Sequence, residues 1–186
     1  FRGPMSIRTA LGQSRNIPAI KAYYLAGGQE PIMQLAEKMG INFHPDEKNL
    51  DHEWTLALGS AGVKLTDMVT AFSVFANGGT KHNPVTILKV MNVNNEILDA
   101  WKADDGEKVL DPQIAYLINN ILSDHSVRLS ENLSIPGQVN AAKTGTSSRK
   151  EGTQYYPHDL WTIGYTTRLV TGVWAGNNKD DEGHLS

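Results

Sequence analysis

Apolar residues recur along the first half of the chain at helical spacing, punctuated by glycine. Ser6 stands where a helix cap belongs, ahead of Ile7, Ala10 and Leu11. Pro18 suits the first turn of a helix carrying Ile20, Tyr23 and Tyr24, which Gly27-Gly28 stops. Pro31 opens another, with Ile32, Leu35, Ala36 and Met39 on one face and Gly40 just beyond its end. Thr66 begins a stronger one, in which Met68, Val69, Phe72, Phe75 and Ala76 keep helical spacing up to Asn77-Gly78-Gly79. The clearest starts at Asp111-Pro112, where Ile114, Leu117, Ile118, Ile121 and Leu122 form a continuous stripe. All these stripes are expected to be core.

In the second half the pattern turns to strands. "VTILKVMNVNNEIL" predicts a β-hairpin turning at Asn94-Asn95, since Asn tolerates positive φ. "LWTIGYT" (160–166) and "LVTGVWAG" (169–176) are β-rich runs joined through Thr167-Arg168. With "QVNAAKTGT" they predict three neighbouring antiparallel strands. The pattern thus assigns helices to about 1–80 and 108–130, a hairpin to about 85–101 and strands to about 138–176. "KEGTQYYPHD" reads as a polar loop between strands, and "NNKDDEGHLS" as an acidic, exposed end. No repeat or second domain stands out.

Composition narrows the classes. The chain has 186 residues, 40% hydrophobic and 20% charged, the balance of one globular domain. A formal charge of −3 without a basic stripe argues against nucleic acid as a partner. The absence of cysteine excludes disulfides and thiolate metal sites while leaving the compartment open. No apolar run approaches the ~18 residues that span a bilayer. "FRGPMSIRTA" has no signal-peptide core, so any membrane anchor is expected outside this chain. The six histidines form no H-E-x-x-H, and "DDGE" lacks the spacing of a calcium loop. Neither a metal nor a cofactor is expected.

Chemistry concentrates in "GQVNAAKTGTSSRK", residues 137–150, where Lys143 is followed by small hydroxyl and glycine residues. A phosphate-binding P-loop is one reading, but Ala142 stands where its second glycine belongs, and no helix pattern follows to hold the phosphate. A second reading is a solvated lysine on an edge strand. A third needs a partner motif: enzymes that form an acyl-serine with penicillin pair K-T-G with S-x-N and a nucleophilic S-x-x-K. The chain offers "SRN", Ser14-Arg15-Asn16. Alone this is weak, because Ser14 or Asn16 could simply cap the helix entered at Pro18.

The surroundings of both motifs change the balance. "FRGPMSIRTALGQSRNIPAIKAYYLAG" resembles, almost residue by residue, the segment around S-x-N in bifunctional (class A) penicillin-binding proteins. "LALGSAGVKLTDMVTAFSVFANGG" resembles the helix that follows there, and "AAKTGTS" with "HDLWTIGYTTRLVTGVWAGNN" resembles the K-T-G strand and its two successors. The likeness covers nearly the whole chain in the right order. It departs at Thr162, where the family usually places an aromatic, and in a longer stretch from Ser148 to His158.

The resemblance implies an α+β fold, an antiparallel sheet flanked by helices of the serine β-lactamase and D,D-transpeptidase type. It is expected to be incomplete, with the first strands, the nucleophile helix and the last helix outside this chain. The implied reaction is acyl transfer from the D-Ala-D-Ala end of a peptidoglycan stem peptide through a serine acyl-enzyme, which β-lactam antibiotics also acylate. Lys143 would face the stem's carboxylate, with Thr144 and Thr146 offering hydroxyls. On an ideal strand these threonines point away from Lys143, so the resemblance, which favours Thr146, requires a twist or strand end there. Gly145 would leave room for a substrate backbone, and the Thr146 N–H would form half of an oxyanion hole. Ser14 would relay a proton between the leaving amine and Lys143; Asn16 would orient the substrate amide and the lysine of the missing S-x-x-K.

That nucleophile is not among the residues before Ser14. "SSRK", Ser147 to Lys150, is a decoy, because no helix pattern would set its lysine one turn beyond its serine. The expectation is therefore a transpeptidase part, inactive alone. In the intact protein an anchor and a glycosyltransferase domain would lie upstream, on the outer face of the bacterial cytoplasmic membrane. The alternatives are a non-catalytic peptidoglycan-binding remnant and a serine β-lactamase relative.

Overall fold

The computed structural model of the chain describes residues 3–130, 133–151 and 153–176. Four helices come first: α1 (Ile7–Gly12), α2 (Asn16–Leu25), α3 (Gln29–Lys38) and the short α4 (Pro45–Asn49). A 3-10 segment, Glu53–Leu58, leads to α5 (Leu65–Ala76). Short strands β1 (Thr80–Lys81) and β4 (Glu107–Lys108) pair with each other, and between them β2 (Lys89–Met91) and β3 (Ile97–Ala100) form the expected hairpin. Asn95 turns it with φ of 63°. The last helix, α6 (Pro112–Leu122), precedes β5 (Ala141–Glu151), β6 (Gln154–Tyr165) and β7 (Val170–Gly176). These three strands make one antiparallel sheet in chain order. The fold is the expected mixture of helices and antiparallel sheet.

Local chemistry accounts for the helix ends. Ser6 caps α1 by accepting from the Thr9 N–H, and Asp111 caps α6 by accepting from the Gln113 N–H, with Pro112 at the first helical position. At the end of α5, Gly79 takes φ of 97°, and a Cβ there would lie 2.2 Å from the Leu110 carbonyl oxygen. Only glycine meets both demands.

Helix α5 organises the interior. Its Ala71 and Val74 pack with Met39 in one cluster that also holds Val109 and Leu110. Its Phe72 and Phe75 reach a second cluster built on Leu122, Ala141 and Tyr165, which joins α6 to the sheet. Asn119 of α6 fixes this junction, donating to the Phe75 carbonyl at 2.8 Å and accepting from the Tyr165 hydroxyl at 2.7 Å. Where α5 crosses β7 the approach is very close: a Cβ on Gly172 would meet Val69 Cγ2 at 2.5 Å and Leu65 Cδ1 at 2.9 Å.

Two expectations are corrected. The stripe on α6 is not all core: Ala115 is 0% exposed, but Ile114 is 49% and Leu117 59% exposed. The face that α5 and β5 cover runs through Ala115, Ile118 and Leu122, so the apolar stripe is wider than the surface packed against it. On α3, Met33 is buried while Leu35 is exposed. The second correction concerns the polar loop, which is strand: pairing continues from Ser148↔Pro157 to Glu151↔Gln154. Among the described residues, β7 ends opposite Asp159, so Pro157 has a strand neighbour only on the β5 side. The acidic end, 177–186, lies outside the described residues. Among the described residues, no helix is long and apolar enough to cross a membrane.

The contact at Gly172 gives a test. Gly172→Ala should overpack the α5–β7 crossing and destabilise the fold by about 1–3 kcal/mol, seen as a lower denaturation midpoint with an unchanged slope.

Candidate active site

Lys143 and Ser14, 129 positions apart, meet in space: Lys143 Nζ donates to Ser14 Oγ at 2.7 Å. The same ammonium donates to the Thr144 carbonyl at 2.6 Å, which leaves one of its three N–H groups for a further acceptor. Lys143 is half-buried, and the loss of hydration pulls its pKa below the ordinary lysine value.

The Ser14 side of this contact is built by a tight turn between α1 and α2. The Ser14 N–H donates to the Leu11 carbonyl at 3.1 Å and the Arg15 N–H to that of Ala10 at 2.9 Å. Ser14 itself takes φ of 53°, the left-handed region where a side chain is penalised and glycine is at ease. Arg15 bridges back across it, its Nε and Nη2 donating to Gln13 Oε1 at 3.2 and 2.7 Å. The capping alternative fails: Arg15 holds the cap position of α2 with no side-chain cap bond, and Asn16 is already in the helix. A strained serine whose hydroxyl bonds a remote lysine points to function.

Two arginines carry this turn to the strand. Arg8 of α1 donates to the Asn120 carbonyl at 3.1 Å and to Asp124 Oδ2 at 3.0 Å, fixing α1 on the C-terminal end of α6. Gly12 seals the approach, since a Cβ there would lie 2.5 Å from Val127 Cγ2. Arg128 then donates to the carbonyls of Leu122, Leu133 and Asn140, joining the end of α6 to the residue just before β5. The buried Asn140 amide locks the same loop, through the Ile135 N–H and the Leu133 carbonyl.

The rest of the motif follows the strand. Lys143 pairs with Ile163 and Gly145 with Trp161, so both face the α5 side of the sheet, whereas Thr144 and Thr146, paired with Thr162 and Leu160, occupy the other face. A register shift falls between Thr146 and Ser148, breaking the alternation just beyond Thr146. At Gly145 a Cβ would meet only Trp161 Cβ at 3.6 Å, an ordinary contact, so packing within the chain does not require glycine there. Asn16, Gly145 and Thr146 are exposed. "SSRK" lies wholly in β5 rather than on a helix that would set its lysine one turn beyond its serine.

Sequence reading missed the arginines, Gln13, and a group around Asp159 at the register shift. Their partners are distant in the chain or set by side-chain geometry, and no spacing rule marks them.

This layering of helices on an antiparallel sheet, with its order of elements, is that of penicillin-binding transpeptidase domains. Residues 1–184 match the family model described as "Penicillin binding protein transpeptidase domain", and the chain belongs to that family. It is 30% identical over 199 residues to penicillin-binding protein 1A/1B of Bacillus subtilis, covering 100% of this chain and 21% of that protein. It is also 30% identical to penicillin-binding protein 2D of Bacillus subtilis, covering 95% of this chain and 25% of that protein. The chain thus spans about a fifth to a quarter of these relatives. Among solved structures, the penicillin-binding protein PonA1 from Mycobacterium tuberculosis superposes with a TM-score of 0.82 at 26% identity, over 95% of this chain and 49% of that one. PonA1 in complex with penicillin V superposes with a TM-score of 0.81 at 27% identity, over 97% of this chain and 49% of that one.

The turn conformation predicts an order among variants that all lack the hydroxyl. Ser14→Gly should be more stable than Ser14→Ala by about 1 kcal/mol, because only alanine retains the left-handed penalty. Paired denaturation curves check this.

Proposed function

We propose that this chain is the part of a peptidoglycan D,D-transpeptidase that binds the stem peptide and handles its proton, acting on a serine acyl-enzyme whose nucleophile lies outside residues 1–186. The observation that carries this reading is the 2.7 Å bond between Lys143 and Ser14. Substrate would be the D-Ala-D-Ala end of a stem peptide, and β-lactams would acylate the same serine.

The chemistry follows from the geometry. Expulsion of D-alanine needs a proton delivered to the leaving nitrogen. Ser14 Oγ can pass its own proton to that nitrogen and take one from Lys143 Nζ, to which it is already bonded. Partial burial suits the lysine to this, since it gives up a proton more readily than a solvated lysine does. While charged, its remaining N–H attracts the stem's terminal carboxylate; Thr144 and Thr146 lie on the opposite face of β5, so their hydroxyls would join it only through the break in alternation beside Thr146. Gly145 leaves the strand open for the substrate backbone to lie alongside, the use its undemanding surroundings suggest. The Thr146 N–H would donate to the oxyanion at the exposed end of this segment. Asn16, one residue beyond the cap of α2, would orient the substrate amide and the lysine of the absent nucleophile motif.

In the full protein the domain would work outside the cytoplasmic membrane, held by an upstream anchor and accompanied by a glycosyltransferase domain. The relatives' greater length leaves room for such additional parts.

Residues 1–186 alone should form no covalent adduct with a fluorescent penicillin, as read by mass spectrometry; a stable adduct on Ser14 or Ser147 would remove the premise of an external nucleophile. In the full-length protein, Lys143→Ala should slow penicillin acylation by about a hundredfold or more with the fold retained, because it removes a charge from a half-buried site. Acylation at the unaltered rate would exclude Lys143 from the chemistry.

A further inference from the structure

At the far end of the Lys143 strand, one carboxylate joins all three strands of the sheet. Asp159 of β6 accepts from Ser147 Oγ of β5 at 2.6 Å and, through its other oxygen, from Trp174 Nε1 of β7 at 3.0 Å. His158 Nδ1 lies 2.9 Å from the oxygen that Ser147 uses. The Asp159 N–H returns a bond to Ser147 Oγ at 3.0 Å. Burial alone would raise the Asp159 pKa, but the bonds from His158, Ser147 and Trp174 outweigh it and hold the group below the usual carboxylate value. The sequence makes room for this hub: a Cβ on Gly176 would lie 2.4 Å from Trp174 Cζ2 and 3.2 Å from Asp159 Oδ1.

The hub sits where the sheet is least determined. Thr146 pairs with Leu160 and Ser148 with Pro157, so the single Ser147 stands opposite two residues, His158 and Asp159, and the extra residue of the bulge belongs to β6. A bulge of this kind interrupts the regular ladder, and the shift could move along the strand. The two bonds between Ser147 and Asp159 replace that missing restraint. The residue immediately before the shift is Thr146, whose N–H and hydroxyl the proposed reaction employs.

We propose that Asp159 is a positioning residue for acylation: by gripping Ser147 it pins the bulge, and so fixes Thr146 at a set distance along the strand from Lys143. This rests on the function proposed above. Asp159 touches no substrate and acts only through β5.

Stopped-flow acylation of the full-length protein with a fluorescent penicillin separates the first-order acylation rate constant from reversible binding, and counts only acylatable molecules. Asp159→Ala and Ser147→Ala should each lower that rate constant about tenfold, since misplacement by a fraction of an ångström weakens transition-state contacts. Reversible affinity should change less than about threefold. The double variant should lose about tenfold as well, not a hundredfold, because both changes break one link. Ser147→Thr, which keeps the hydroxyl on a strand-favouring side chain, should recover to within about threefold. Single-variant rate constants within about twofold of the unaltered protein, or a hundredfold loss in the double, would overturn the proposal while leaving the function intact. An unaltered protein that takes no label would overturn the function itself, and this inference with it.

Discussion

The whole arrangement depends on satisfying one half-buried ammonium. Removing Lys143 from water costs energy unless its N–H groups find acceptors, and the chain supplies two: its own neighbour's carbonyl and a hydroxyl brought from 129 positions away. The remote acceptor requires a serine in a conformation that disfavours side chains, at the tip of a turn whose place is fixed by other elements. Those elements are tied at one point, the C-terminal end of α6. Arg8 and Arg128 both donate to carbonyls in its last turn, where a helix leaves acceptors unpaired and favours positive charge. One arginine thereby holds the serine turn and the other the entry to the lysine strand. The bond between Lys143 and Ser14 is the meeting point of two chains of contacts that share an anchor.

Much of this was legible in the residues and some was not. Helix starts were readable because caps act over three residues: Ser6 and Asp111 do what their types suggest. The three-strand sheet was readable because "LWTIGYT" and "LVTGVWAG" alternate and are joined by a short turn. Burial was not, because a stripe such as that on α6 reports which residues could be covered, and only the packed neighbours decide which are. The continuation of β5 and β6 past Ser148 was hidden by polar residues, glycine and a proline, types that mark loops more often than strands. Local rules see the ends of elements well and the partners of side chains poorly.

The same division applies to the site. Lys143, Thr144, Gly145 and Thr146 stand together in the sequence, and Ser14 and Asn16 form a second short group, so both halves could be named before any coordinates. Their meeting could not be derived from spacing; it was expected from the order of several longer segments resembling one family. What joins the halves, namely Arg8, Arg128, Asn140 and the Gln13–Arg15 bridge, carries no motif. These residues work by bonding carbonyls and amides whose positions exist only in the folded state.

The site divides by the kind of precision each half needs. The proposed proton transfer between Ser14 and Lys143 would tolerate little change in one distance, and that distance is held by helices packed on α6. The proposed anchoring of an anion and an oxyanion at Thr146 would need instead a fixed position along a strand, which backbone pairing cannot guarantee beside a bulge. A three-way bond at Asp159 supplies that second restraint from the sheet side, with no contact to the helical anchors. The first half of β5 is therefore gripped on both sides by unrelated means: carbonyl-bonding arginine and a buried amide before Ala141, a carboxylate after Thr146. Between those grips lie Lys143, Gly145 and their neighbours, the stretch of the strand along which the proposed substrate would lie.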